Sequence, residues 1–189
     1  ILDLCSGTGI IPFIIAGKRK FNKIVGIEIQ EQMVDMAKRT SIYNKLDEKI
    51  KFIVGDLKDI DLLKKLGKFD VITVNPPYKL KNSGIRNENS KEAIARHEIL
   101  CDIDDVIKAA NILLKDRGRF FMVHRPERIV DILTTMRKYK IEPKLIKLIQ
   151  PNEEKSPNLL VIEGHKNERQ FLKWEKTRYV YDKLGNYTK

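Results

Sequence analysis

Short apolar runs and segments of helical spacing take turns along most of the chain. Residues 1–4, "KIVGIEI" (23–29), "IKFIV" (50–54) and "FDVITV" (69–74) are runs of aliphatic and β-branched residues of strand length, as expected of strands covered on both faces. Between them lie segments of helical pattern. The first runs from about Pro12 to Lys18, with proline in the first turn, where its missing N–H costs nothing. The second spans 30–44 and places Met33, Met36, Ala37 and Ile42 or Tyr43 on one face, and the third is short, 57–66. Further on, 91–114 carries helical patterning that ends at Arg117-Gly118, "RFFMV" (119–123) is a fifth strand, and 126–138 is a helix. Two last strands, 144–150 and 159–163, flank the loop "PNEEKSPN" and predict a hairpin. Residues 79–90 are polar without periodicity and predict a loop.

Parallel neighbours need a crossover connection, so this alternation predicts an α/β domain, a Rossmann-like parallel sheet with helices on both faces. The closing hairpin adds one antiparallel strand near an edge. The expected organisation is a single domain over 1–165 and a basic, aromatic tail over 166–189. A core strand that starts at residue 1 leads us to expect a further segment upstream.

The totals narrow the class. The 189 residues are 42% hydrophobic and 33% charged, a globular composition, and no apolar run approaches the ~20 residues of a membrane span. Lys and Arg number 37 against 26 acids, a net +11, which suits a polyanionic partner whose counterions are released on binding. Cys5 and Cys101 form no Cys-x-x-Cys, and His97, His124 and His165 have no metal-ligand spacing. We therefore expect no disulfide framework, no metal, no membrane association and a cytoplasmic setting.

Ligands of open α/β sheets bind beyond the carboxyl ends of the strands, and three such ends carry telling residues. In "DLCSGTG", Gly7 and Gly9 permit a tight turn close to a ligand, and the following helix offers free N–H groups. Glu28 ends the second strand, followed by Ile29, and its carboxylate suits the two hydroxyls of a ribose. Asp56, just past the third strand and before Leu57, suits an adenine amine. A dinucleotide fingerprint wants a third glycine where Pro12 stands, and no Gly-Lys-[Ser/Thr] follows the turn. An adenosine cofactor without phosphates, S-adenosyl-L-methionine, fits better.

"LDLCSGTG", Glu28, Asp56 and "NPPY" (75–78) in this order resemble the class I S-adenosylmethionine-dependent methyltransferases that act on amines, over about residues 1–165. The resemblance implies a seven-stranded, mostly parallel sheet with the last strand antiparallel. It implies that Asp3 and the Gly7–Gly9 turn hold the methionine end, with Cys5 a small packing residue in that turn. Glu28 and Ile29 then border the ribose, while Asp56 and the Leu57 amide hold the adenine. In the family the Asn side-chain oxygen and the first Pro carbonyl, here Asn75 and Pro76, accept from the target amine, with Asn75 also bordering the cofactor. Pro77 and Tyr78 face the substrate, the Tyr78 ring stacking on a flipped base.

Tyr78 in place of Phe leans toward adenine. The basic loop with Lys79, Lys81 and Arg86 is placed to hold a phosphate backbone. Residues 166–189 hold seven Lys or Arg against three acids and five of the chain's fourteen aromatics, a composition that stacks on single-stranded RNA or docks Phe171 and Trp174 on the sheet edge. The ending "VYDKLGNYT" is similar to bacterial methyltransferases of the exocyclic amine of adenine-37 in a valine tRNA, which implies the tRNA anticodon stem-loop as partner. The oligomeric state is left open, with a monomer favoured. The competing readings are methylation of a protein glutamine amide and a non-catalytic RNA-binding module. His97 and His124 are expected to be structural or surface residues rather than catalytic ones, and Arg125-Pro126 to begin a helix or reach RNA.

Overall fold

The computed structural model describes residues 1–78 and 101–188. The strands are β1 (Leu2–Leu4), β2 (Ile24–Glu28), β3 (Ile50–Val54), β4 (Phe69–Val74), β5 (Leu114–His124), β6 (Ile141–Gln150), β7 (Leu159–Lys166), β8 (Lys173–Trp174) and β9 (Arg178–Tyr179). The helices among the described residues are α1 (Ile10–Lys18), α2 (Glu31–Tyr43), α3 (Ile60–Leu66), α4 (Ile103–Leu113) and α5 (Ile129–Lys138), the last entered through a 3₁₀ turn at Pro126–Arg128.

All nine strands among the described residues form one sheet in the order β3-β2-β1-β4-β5-β7-β6-β8, with β9 also on β6. The run from β3 to β5 is parallel, and β7 lies antiparallel between β5 and β6. The expected Rossmann-like sheet with one antiparallel strand is therefore present, with nine strands where seven were expected. The two extra strands come from the tail: β8 and β9 pair parallel with the free edge of β6, satisfying backbone groups that would otherwise stand open.

Alternation along the strands divides the core. Ile24, Ile50 and Phe52 bury one face of the sheet under Val34 and Ala37 of α2, with Phe13 of α1 beside them. Leu2, Leu4, Ile27, Ile72, Val74, Phe120, Met122 and Ile162 belong to the larger cluster on the other face, under α3, α4 and α5. Of the face expected on α2, Ala37 is buried and Met33 half-buried, while Met36, Ile42 and Tyr43 are exposed; the buried stripe is Val34, Ala37 and Ser41. Ser41 is tolerated there because its hydroxyl donates to the Ile50 carbonyl at 3.2 Å.

Helix starts follow local chemistry. The Asp59 carboxylate accepts from the Asp61 and Leu62 N–H groups at 3.1 and 3.0 Å and so delays α3 to residue 60. Asp102 and Asp105 form a reciprocal capping box at the start of α4. That helix ends at Leu113, earlier than its pattern suggested, and β5 begins at once. The β4–β5 register shifts between Phe69 and Val71, and Arg117 takes a positive φ of 58° there. The predicted loop 79–90 and the first part of the 91–114 pattern lie outside the described residues.

Candidate active site at the carboxyl edge of the sheet

Register brings the motif residues to one edge. Leu4 pairs with Ile27 on one side and Val74 on the other, and Val74 pairs with Met122. The strand exits, namely the 5–9 turn, Glu28, Asn75 and His124, therefore emerge side by side at the centre of the sheet.

The turn 5–9 is built on left-handed backbone: φ is +53° at Cys5, +51° at Gly7 and +86° at Gly9. Gly9 has a second constraint, because a Cβ there would lie 2.6 Å from the Phe52 ring and 2.9 Å from Phe13. Glu28 straps this turn to β2. Its Oε2 accepts from the Gly7 N–H at 2.9 Å, and its Oε1 from the Ile29 and Gln30 N–H groups at 3.0 and 3.2 Å. One lone-pair position of Oε2 is left for a ligand hydroxyl, as a carboxylate has about four such positions.

Asp3 is buried and accepts from the Thr73 hydroxyl at 2.5 Å across the β1–β4 pair. Burial pushes its carboxyl up to about 7; the Thr73 bond opposes this and the nearby Glu28 charge adds to it. Two buried acids at one turn disfavour a pyrophosphate and favour a cation. Ser6 Oγ, buried beside them, has no hydrogen-bond partner among the described residues. This donor and acceptor set fits the amino acid end of S-adenosylmethionine and its sulfonium charge. Next to it, Cys5, Ile27, Glu28, Ile29, Gly55, Asp56, Leu57 and Cys101 line a cleft of about 30 Å³, room for one or two waters. Asp56 caps its own turn by accepting from the Lys58 N–H at 2.9 Å, and Leu57 is buried. Contact with Cys101, and burial after it, hold the Cys5 thiol well above the usual thiol range.

Beyond β4, Pro76 is buried while Asn75 and Pro77 are exposed. The Tyr78 hydroxyl donates to Asn75 Oδ1. The His124 ring meets the Tyr78 ring edge-on at 5.2 Å and 68°, and the Arg125 guanidinium lies 5.5 Å from the Tyr78 ring centre. Arg125 is itself anchored, donating to the Asn158 carbonyl at 3.1 Å, and its N–H donates to His124 Nδ1 at 2.8 Å. Burial lowers the His124 pKa and raises that of Tyr78. His124 and Arg125 thus form a shelf behind Tyr78, a role the sequence reading missed. The only available signal was the pair's place after strand five, beside the strand that ends in "NPPY". Lys79, Lys81, Arg86 and His97 lie outside the described residues.

A parallel sheet whose central strand ends carry a glycine turn, an acid and an Asn-Pro-Pro-Tyr exit defines a methyltransferase-type site. The family profile described as "Methyltransferase domain" matches residues 1–181, and the chain belongs to that family. Among curated proteins it is similar to the tRNA1(Val) (adenine(37)-N6)-methyltransferase of Porphyromonas gingivalis, 26% identical over 164 residues, covering 86% of this chain and 64% of that protein. The protein of the same description from Flavobacterium psychrophilum is 24% identical, covering 97% of this chain and 79% of the relative. The release factor glutamine methyltransferase of Fusobacterium nucleatum is 33% identical over 128 residues, covering 62% of this chain and 34% of that protein. The chain thus spans just under two thirds of the Porphyromonas gingivalis relative. A predicted O-methyltransferase from Agrobacterium tumefaciens has the same fold, with a TM-score of 0.75 at 17% identity over 96% of this chain and 80% of that one.

Proposed function

We propose that this chain uses S-adenosyl-L-methionine to methylate the exocyclic amine of adenine in tRNA, at position 37 of a valine tRNA, beside the anticodon. Support comes from the relatives of that description together with the site. Asp3 and the 5–9 turn hold the amino acid end of the cofactor, Glu28 its ribose, and Asp56 with the Leu57 amide its adenine. Bound there, the cofactor supplies a methyl group on a positively charged sulfur.

The observation that carries the reading is that the Asn75-Pro76-Pro77-Tyr78 exit of β4 stands at the carboxyl edge of the sheet beside the 5–9 turn and Glu28. An aryl amine is a poor nucleophile because its lone pair is spread into the ring. Acceptance of its two hydrogens by Asn75 Oδ1 and the Pro76 carbonyl favours the pyramidal form in which that pair is free to attack. Prolines at 76 and 77 hold the acceptors before substrate arrives. The Tyr78 ring, backed by His124 and Arg125, stacks on the base. In this reading the lysines and arginine at 79, 81 and 86 hold the phosphate backbone.

The test is methyl transfer from labelled S-adenosylmethionine to total tRNA from a strain lacking this enzyme, followed by nucleoside analysis. We expect adenosine methylated on its exocyclic amine. Transfer to a protein glutamine with none to tRNA replaces this reading with the other substrate that the Fusobacterium relative's description names.

A further inference from the structure

Four features of the described residues remain outside the catalytic assignment: the exposed aromatics of the tail, the cleft beneath them, the Cys5–Cys101 contact and the basic surface near Lys20 and Lys49. The tail carries an inference furthest, because the sheet puts it at the catalytic edge. His124 at the carboxyl end of β5 pairs with Leu160 at the start of β7, and Ile149 at the carboxyl end of β6 pairs with Leu159. β9 runs parallel to β6, with Gln150 opposite Tyr179. Tyr179 therefore leaves the sheet at the same edge as Asn75.

Past β9 the chain folds into an ordered hairpin. The Thr188 N–H donates to the Val180 carbonyl at 3.0 Å and the Asp182 N–H to the Asn186 carbonyl at 2.9 Å. The Tyr181 and Tyr187 rings meet at 5.0 Å, and the Asp182 carboxylate accepts from the Leu184 and Asn186 N–H groups at 2.8 and 2.9 Å. Below it, the backbone of 173–174 docks on Leu145 and Ile146, but Trp174 is 57% exposed and Phe171 72%. The docking expected of these two side chains is thus done by the main chain, and their rings face solvent. Tyr187, at the top, is 77% exposed. Exposed Lys173, Lys176 and Arg178 are interleaved with the rings.

From β4 to β9 the sheet takes four strand steps, through β5, β7 and β6, or about 19 Å at about 4.8 Å per step. At about 3.4 Å per stacked nucleotide that is five or six nucleotides. We propose that the rings of Phe171, Trp174 and Tyr187, with the intervening cations, form the platform on which the unpaired nucleotides flanking the target adenine stack while that adenine occupies the Asn75–Tyr78 site. This rests on the RNA reading above and names where the substrate lies on the protein. Rigid exposed rings interleaved with cations match single-stranded nucleic acid. A protein strand adding to this edge is disfavoured, since β8 and β9 already cover β6. The cleft lined by Tyr179, Tyr181, Glu153, Glu154 and Asp182, with Lys183 paired to Glu153 at 3.7 Å, disfavours phosphate, which leaves the exposed rings of Phe171, Trp174 and Tyr187 as the stacking surface.

The test measures binding and steady-state methylation of a tRNA anticodon stem-loop by the full chain and by Trp174→Ala and Tyr187→Ala, with Trp174→Phe and Tyr187→Phe as ring-preserving controls. We expect each alanine to weaken RNA binding by about tenfold or more and to raise KM for RNA, with kcat at saturating RNA and cofactor affinity unchanged. The phenylalanine variants stay near wild type. Crosslinks from thiouridine-substituted stem-loop should map to 171–188. Wild-type binding and KM in the alanine variants, or crosslinks confined elsewhere, overturn the platform and leave the methylation reading standing. A wild-type chain that binds no RNA overturns both.

Discussion

Asp3→Asn separates what the buried acid costs the fold from what it does for the ligand. The Asp3 carboxyl sits at about 7 in the fold against 3.8 ordinarily, because burial in the β1–β4 pair disfavours its charge. Its folded pKa is raised, so its contribution to stability is fully present below about 3.8 and is lost as pH rises through about 7. Each pH unit over which only the unfolded chain is ionised removes about 1.4 kcal/mol. With the folded carboxyl half ionised at about 7, the loss from about pH 5 to pH 7 is about 2 kcal/mol. Asparagine still accepts from Thr73 and does not titrate. Urea unfolding of both proteins across this range should show the wild type losing about 2 kcal/mol relative to Asp3→Asn, a difference in which the other titrating groups cancel. A cationic ligand favours ionised Asp3, so wild-type affinity for S-adenosylmethionine should rise up to about tenfold per pH unit below 7, while Asp3→Asn binds weakly and without this slope. Parallel unfolding profiles would refute the raised pKa of the buried Asp3, and a pH-independent wild-type affinity would refute its contact with the cofactor's charge.

Asn75→Ala should lower turnover by about 100-fold or more with cofactor affinity nearly unchanged, as calorimetry alongside single-turnover methylation would show; unaltered turnover would sink the acceptor role. Glu28→Gln loses the charge behind three backbone amide bonds as well as the acceptor proposed for the ribose, so it should weaken cofactor binding and lower Tm together, and a loss of one alone would contradict this double role. Arg125→Ala removes the cation behind Tyr78, and we expect a KM for RNA raised several-fold with intact cofactor binding, partly rescued by Arg125→Lys. Equal defects in both variants would point to the Asn158 bond instead, which the lysine cannot reproduce in the same geometry.

Much of this protein was legible in one dimension. Strand and helix succession, the glycine turn, and the placing of Glu28, Asp56 and Asn75 at strand ends come from local pattern and from turn chemistry, which act over a few residues. The resemblance of the four motifs then predicted the methyltransferase domain to which the chain belongs. What only the tertiary structure decided involves partners distant in the chain. Strand order sets Asp3 against Thr73, 70 residues away, and no window of sequence encodes that pairing or the burial that shifts the acid. The face of α2 was assigned in part, with Ala37 on it and Met36, Ile42 and Tyr43 off it, because Ser41 joins the buried stripe only when the Ile50 carbonyl satisfies its hydroxyl. His124 and Arg125 reach Tyr78 because β5 lies beside β4, and the tail reaches the catalytic edge because β6 had an open edge to fill. Periodicity reports which side of a residue is apolar. Hydrogen-bonded register across the sheet decides what it meets, and here that register assembles the site.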